Sequence, residues 1–222
     1  MLGIVARQFG HPRGVLGGII GRGMVRSNGE FSRWTVGELR RHATGVPARI
    51  VELGPGPGVG LEELLKAFPD AKVWGVDPSR EMLAQSRRRN SAAADGGRLT
   101  LFEGGVAALS ELAPIDIVAA NHVLYFWREP EAELKQIRGS LRPGGLLAIG
   151  YQLRQNMPAI AQKQFPRQGY RLYGSNDEVD ALLRAAGLVG VVRSVKGSPE
   201  RPEGWLALAT VPSAPPIGSA PG

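Results

Sequence analysis

Cysteine is absent from the 222 residues of the chain, which excludes disulfides and thiolate metal sites. Long apolar runs are absent too, because no stretch approaches the roughly 20 residues that a membrane-spanning helix requires. We therefore expect a soluble protein with no metal site and no membrane partner. The lack of cysteine does not by itself fix the compartment, and a cytoplasmic location is our working prediction.

Hydrophobic residues make up 43% of the chain, enough for one complete α/β core but not for a second full domain. The net charge of +7 comes mostly from arginines that are scattered, apart from Arg40-Arg41 and Arg87-Arg88-Arg89. Scattered charge is usually a solvated surface, and the aromatic-plus-basic clusters of single-strand binders are missing. Nucleic acid is therefore not an expected partner.

The chain divides into three predicted parts. Residues 1–47 are expected to form a helical N-terminal lid, with a first helix near residues 15–24 and a firmer one over residues 28–42. The arginine-rich first 29 residues could also be read as a transit peptide, an interpretation we do not favour. Residues 48–211 form the α/β domain, and residues 212–222 have too little hydrophobic content to order themselves.

A glycine-rich turn at residues 54–60 is the feature around which the domain is organised. It follows a short apolar run, Ile50 to Leu53, that is typical of a buried strand interrupted by one acid, Glu52. The four glycines alternate along the turn, a spacing that fails the dinucleotide pattern G-x-G-x-x-G, and no Gly-Lys-Ser/Thr follows to make a phosphate loop. A ligand that contacts main chain is the use we expect for them, the glycines being Gly54, Gly56, Gly58 and Gly60.

An acid, one spacer and then alternating glycines resemble motif I of class I S-adenosylmethionine (SAM)-dependent methyltransferases, carried here by Glu52, Gly54, Gly56 and Gly58. A glycine-rich βα turn of another doubly wound protein is the alternative. The resemblance implies a Rossmann-like domain with a seven-stranded, mostly parallel sheet that ends in an antiparallel hairpin. It also implies SAM as cofactor and S-adenosylhomocysteine (SAH) as product.

Asp77 ends the second predicted strand, 21 positions beyond Gly56, and Pro78 follows it. This is close to the roughly 20-residue interval at which Rossmann-type folds bring a carboxylate onto a ribose. A carboxylate can accept from both vicinal hydroxyls. Asp77 could also be the N-cap of the next helix, and the two roles are compatible.

The third strand leads into Gly104, Gly105 and Val106, where the resemblance places the adenine. Methyltransferases of this class commonly carry an acid just after the first glycine, but here that position is Gly105. We expect either main-chain groups of Gly104 to Val106 or the carboxylate of Glu103 to take its place.

The fourth strand ends in Asn121-His122, followed by Val-Leu-Tyr125-Phe-Trp127. Ligands collect at the carboxyl ends of such strands, so Asn121 is a candidate cofactor contact. His122 is the candidate general base, and Tyr125 is the second candidate catalytic residue, which could line the pocket or orient the substrate. For Phe126 and Trp127 we favour packing. The resemblance extends over residues 49–149, through Leu141-Arg-Pro-Gly-Gly145.

These features predict an enzyme that transfers a methyl group to a small molecule, a secondary metabolite being one candidate class; the oligomeric state is not predicted. Methylation of RNA or protein is one alternative, although the Asn/Asp-Pro-Pro-aromatic signature of base-amine methyltransferases is missing after strand four. A SAM-binding protein that no longer methylates, pericyclase-like or regulatory, is a second alternative, favoured by the missing adenine acid.

Overall fold

The computed structural model describes residues 29–213. The predicted first lid helix and the tail from residue 214 therefore lie outside the described residues. Helix α1 spans residues 29–42, in agreement with the firmer of the two predicted N-terminal helices. No helix among residues 29–213 is long and apolar enough to cross a membrane.

Strands and helices alternate along the first half of the domain. They are β1 (Arg49–Leu53), α2 (Val59–Ala67), β2 (Lys72–Asp77), α3 (Arg80–Arg89), the short α4 (Ser91–Asp95), β3 (Leu99–Glu103), a 3-10 helix (Val106–Glu111) and β4 (Ile115–Asn121). The alanines of α4 continue the chain after α3 as one helical turn, because Ala has the highest helix propensity.

The second half carries the remaining helices and the antiparallel hairpin. Its elements are a 3-10 turn (Leu124–Phe126), α5 (Pro130–Ser140), β5 (Leu141–Tyr151), a second 3-10 turn (Arg154–Asn156), α6 (Ala159–Arg167), α7 (Asn176–Ala185), β6 (Val189–Gly197) and β7 (Pro202–Thr210). Helix α6 thus lies in the connection between β5 and α7. The motif Leu141-Arg-Pro-Gly-Gly145 forms the first part of β5.

The sheet has seven strands in the order β3-β2-β1-β4-β5-β7-β6. Pairs β1–β2, β1–β4, β2–β3 and β4–β5 are parallel, whereas β5–β7 and β6–β7 are antiparallel. The order reverses direction between β1 and β4, which is the topological switch point where open α/β sheets bind ligands. The predicted fold, a mostly parallel sheet with a C-terminal antiparallel hairpin, is confirmed.

Both faces of the sheet are covered, as parallel strands require. Successive residues of β1 point to opposite sides, so Ile50 packs with the leucines of α1 and α2 while Val51 packs with α5 and α7. Glu52, two residues from Ile50, lies on the α2 side, where its carboxylate meets the first turn of that helix. A buried acid is thereby placed at the carboxyl end of the central strand.

Candidate active site

A cavity of about 310 Å³ lies at the carboxyl ends of β1, β2 and β4, at the switch point of the sheet. Its wall combines the turns after four strands, β1 to β4, with the start of α2 and single residues of α1, α3 and α5. The lining residues are Glu52–Pro57, Val59, Gly60, Val76–Pro78, Met82, Gly104–Val106, Asn121–Val123, Phe126, Trp127, Ser32 and Glu133. The structure therefore brings together every cofactor residue predicted from the sequence except Gly58.

Gly58 serves helix packing instead. It precedes α2 with a φ of 85°, and a Cβ at this position would lie 2.5 Å from the Ser86 hydroxyl oxygen of α3. Its carbonyl accepts a hydrogen bond of 3.0 Å from the Asn90 side-chain amide. The prediction that Gly58 contacts the cofactor is corrected by this placement, because a close approach of two helices, and not of a ligand, requires the glycine there.

The turn itself is fixed by main-chain bonds to its neighbours. Gly54 has a φ of 64° and donates to the Val76 carbonyl at 2.8 Å, and a Cβ on it would lie 2.3 Å from Val123 Cγ1. Gly56, with a φ of 53°, donates its N–H to Asp77 Oδ2 at 3.0 Å. Positive φ and the absence of side-chain volume are both required here, so the β1 turn can lie directly against the ends of β2 and β4.

Asp77 is 6% exposed and holds two main-chain N–H groups, Gly56 on Oδ2 and Ser79 on Oδ1 at 2.8 Å. Burial raises the pKa of Asp77 to about 6, although the two N–H donors act in the opposite direction. The N-cap of α3 is Ser79, whose hydroxyl accepts from the Met82 N–H. Asp77 is therefore not the helix cap, and each carboxylate oxygen keeps a further lone pair for a ligand in the cavity.

Glu52 is 3% exposed, and its Oε2 has no hydrogen-bond partner among residues 29–213. A Cβ on Gly60 would lie 1.9 Å from Glu52 Oε1, so the fourth glycine of the turn makes room for this carboxyl group. Burial, with a smaller contribution from the Asp77 carboxylate, raises the pKa of Glu52 to about 8. An acid that is costly to ionise, with one oxygen unpaired, thus forms part of the cavity wall.

Asn121 and His122 end β4 beneath helix α1. Asn121 Oδ1 accepts a hydrogen bond of 3.1 Å from the Thr35 hydroxyl. His122 takes a φ of 56°, rare for a residue with a side chain, and its N–H bonds the Gly150 carbonyl at 2.7 Å. The His122 ring lies 4.4 Å from that of Phe31, centroid to centroid, and burial lowers its pKa to about 4. The imidazole is therefore neutral near pH 7 and a weak base.

Helix α1 is held on the cavity by Phe31, which occupies a notch between two glycines. A Cβ on Gly150 or on Gly204 would lie within 2.6 Å of the Phe31 ring. The neighbouring Ser32 lines the cavity and is buried. Sequence reasoning missed Ser32, although its spacing of three from Thr35 places both polar side chains on one helical face.

The structure does not bring Tyr125 to the cavity. Its side chain is 2% exposed, and its hydroxyl accepts from the Gln152 N–H and donates to the Gln152 carbonyl. Burial raises the pKa of this phenol above its usual value. The predicted role of Tyr125 in catalysis is corrected on this geometry, since the hydroxyl is committed to main chain. The packing roles favoured for Phe126 and Trp127 are incomplete, because both line the cavity.

The missing acid at Gly105 leaves open space, since a Cβ there would meet nothing within 4 Å. The suggested replacement, Glu103, is exposed, pairs with Arg80 and is absent from the cavity lining. Among residues 29–213 no group of three or more His, Asp or Glu side chains is arranged to hold a metal ion.

The sheet order, the switch-point cavity and the two acids on either side of a glycine turn are those expected from the resemblance to class I SAM-dependent methyltransferases. Residues 51–147 match a family model described as a methyltransferase domain, in agreement with the predicted class. A trans-aconitate 2-methyltransferase of Methylobacterium nodulans is 38% identical over 111 residues, 50% of this chain and 41% of that protein. The chain thus spans about two fifths of the length of the curated relatives it matches.

Solved structures show the same fold. An O-methyltransferase family protein from Burkholderia thailandensis superposes with a TM-score of 0.69 at 20% identity, over 88% of this chain and 59% of that one. The N-methyltransferase NodS from Bradyrhizobium japonicum, in complex with SAH, superposes with a TM-score of 0.63 at 16% identity, over 84% and 88% of the two chains. Identities this low establish the architecture alone.

Proposed function

We propose that the chain is a SAM-dependent methyltransferase that transfers a methyl group to a small-molecule acceptor and releases SAH. The observation that carries this proposal is the pair of acids, Glu52 and Asp77, at the ends of neighbouring strands on either side of a glycine turn in one cavity. The trans-aconitate 2-methyltransferase relatives and the SAH-bound NodS neighbour support the same chemistry.

The lining residues fit the cofactor. Glu52 offers an unpartnered carboxyl oxygen to a molecule that carries an ammonium group and a sulfonium, and a nearby cation would lower the raised pKa of Glu52. Asp77 retains acceptor capacity for ribose hydroxyls. Gly54 and Gly56 take positive φ in the turn that lines the cavity, and a Cβ on Gly54 would clash with Val123.

When it is bound, SAM supplies the electrophilic methyl group, and the protein contributes alignment and exclusion of water. Phe126 and Trp127 provide an apolar wall, while α1 covers the end of β4 through Phe31. His122 remains the candidate base. With a pKa of about 4 it suits the acceptance of a hydrogen bond from an acceptor hydroxyl better than full proton removal.

The acceptor is proposed to be a compact molecule without several negative charges. The cavity lining among residues 29–213 includes no lysine or arginine, the side chains that hold polycarboxylates. We therefore do not propose trans-aconitate as the acceptor. The segment that matches the trans-aconitate 2-methyltransferases also covers only part of those proteins. We do not propose nucleic acid as an acceptor. The cytoplasmic location and the boundary between the lid and the α/β domain after residue 47 remain predictions.

Calorimetric titration with SAM, SAH and NAD tests the cofactor assignment. We expect SAM and SAH to bind and NAD not to bind; the reverse pattern would overturn the proposal. Labelled SAM incubated with a panel of phenols, alcohols, amines and carboxylic acids, scored for SAH formation, then tests the activity. Tight binding without turnover on any acceptor would instead favour the non-methylating alternative. The missing acid at Gly105, where a Cβ would meet open space, is the reason to include that alternative.

A further inference from the structure

Glu133 is a cavity carboxylate with no role so far. It lies on α5, lines the cavity, and its Oε2 has no hydrogen-bond partner among the described residues. Half-burial, with help from the Glu129 charge, raises the pKa of Glu133. A carboxylate oxygen that is shielded from water and unpaired is destabilising. The Glu133 side chain thus adds a hydrogen-bond acceptor to the α5 side of the cavity wall.

The position of α5 indicates which part of a ligand would meet Glu133. Helix α5 packs against the 3-10 helix Val106–Glu111, which begins directly after Gly105. Gly104, Gly105 and Val106 line the same cavity as Glu133, and nothing fills the space that a side chain at Gly105 would occupy. Glu133 thus reaches this end of the cavity from the neighbouring helix.

The other acids lie elsewhere. Glu52 and Asp77 are at the ends of β1 and β2, on the strand-end side of the cavity. Glu103 pairs with Arg80 outside the cavity lining. Among the acids of the cavity lining, Glu133 is therefore the one that belongs to the 3-10 helix side.

We propose that Glu133 accepts a hydrogen bond from the 6-amino group of the cofactor's adenine and so replaces the acid that is missing at position 105. The inference rests on the proposed function, because it requires that the cavity holds SAM. It assigns adenine selectivity to a residue on a different element, 28 positions further along the chain.

The test compares two ligands that differ at one group: SAH and S-inosylhomocysteine, in which a 6-oxo group replaces the 6-amino group. Titration calorimetry with wild-type protein should give at least about tenfold tighter binding of SAH, as expected for a hydrogen bond to a charged acceptor. Glu133→Gln should weaken SAH binding by about tenfold and reduce the preference to within about threefold, because an amide can donate to the 6-oxo group as well as accept.

Glu131→Gln is the matched control, since it removes the same charge from an exposed position on the same helix. It should keep the wild-type affinities and preference. Thermal melts of both variants establish that they fold. Gly105→Asp in the Glu133→Gln background should restore SAH affinity, because it places a carboxylate in the open space at the same end of the cavity.

The outcomes separate this inference from the proposed function. Wild-type protein that binds neither SAH nor SAM would refute the proposed function itself. SAH binding with an unchanged preference in Glu133→Gln would overturn the role of Glu133 alone. A Glu133→Gln variant that keeps its SAH affinity but shows a raised acceptor KM would also overturn it, because the carboxylate would then contact the acceptor.

Discussion

The two walls of the cavity are built in different ways. The strand-end wall consists of the consecutive residues Glu52 to Gly56 together with Asp77. Their positions follow from the turn after β1 and from the end of β2. The cover wall, formed by α1, the segment after β4 and Glu133 of α5, consists of single side chains from separate helices. The first wall depends on backbone conformation and buried acids, whereas the second depends on packing and a few polar contacts.

Gly54→Ala should give the largest effect and confirm that backbone conformation controls the strand-end wall. A non-glycine residue at positive φ costs about 1–2 kcal/mol, and the clash with Val123 adds overpacking strain, so we expect a loss of about 3 kcal/mol in the free energy of unfolding. Chemical denaturation measures it. Gly105→Ala, which enters open space, is the control and should change stability by less than about 0.5 kcal/mol. Equal effects at the two positions would contradict the distinction.

Asp77→Ala should weaken SAM and SAH binding on the order of 100-fold, because it removes charged hydrogen bonds to the ribose together with the anchor of the Gly56 N–H. Calorimetric titration gives the affinity, and far-UV circular dichroism shows whether the fold is retained. Asp70→Ala, at an exposed carboxylate before β2, serves as control. Unchanged affinity in Asp77→Ala would mean that Asp77 only holds the main chain in place.

The stability of the cofactor-free protein should fall as pH rises from about 5 to 8, and Glu52 should be one cause. Its pKa of about 8 in the folded state lies above the ordinary value of 4.5, so the native state retains a proton that the unfolded state releases in this range. The slope from Glu52 is at most about 1.4 kcal/mol per pH unit. Glu52→Gln should flatten it in denaturation series at several pH values, and an unaltered slope would show that Glu52 is ionised in the folded protein.

Thr35→Val should give the smallest effect and tests the cover wall. The substitution keeps the side-chain shape but removes the hydroxyl that donates to Asn121 Oδ1, at a cost of about 1 kcal/mol in unfolding free energy. Thr44→Val, at an exposed position, is the control and should stay near wild type. If Thr35→Val destabilised the protein as much as Gly54→Ala, the two walls would not differ in how they are held.

Prediction from sequence succeeded for structural features that depend on residues close together in the chain. The second strand ends at Asp77 as expected, and a glycine-rich turn follows β1 as expected. It failed where a side chain's direction depends on a turn. The 3-10 turn Leu124–Phe126 directs Tyr125 into the core and Phe126 to the cavity, the opposite of what the pattern favoured.

The sequence by itself determined the sheet, the glycine turn and the acids at the ends of β1 and β2, because strand periodicity, positive φ and strand-end position are local properties that residue types specify directly. Only the tertiary structure decided that Gly58 serves helix packing, that Ser32 and Glu133 line the cavity, and that His122 packs against Phe31. These depend on how separate helices dock on the sheet, which sets the contacts, the desolvation and hence the pKa of each group.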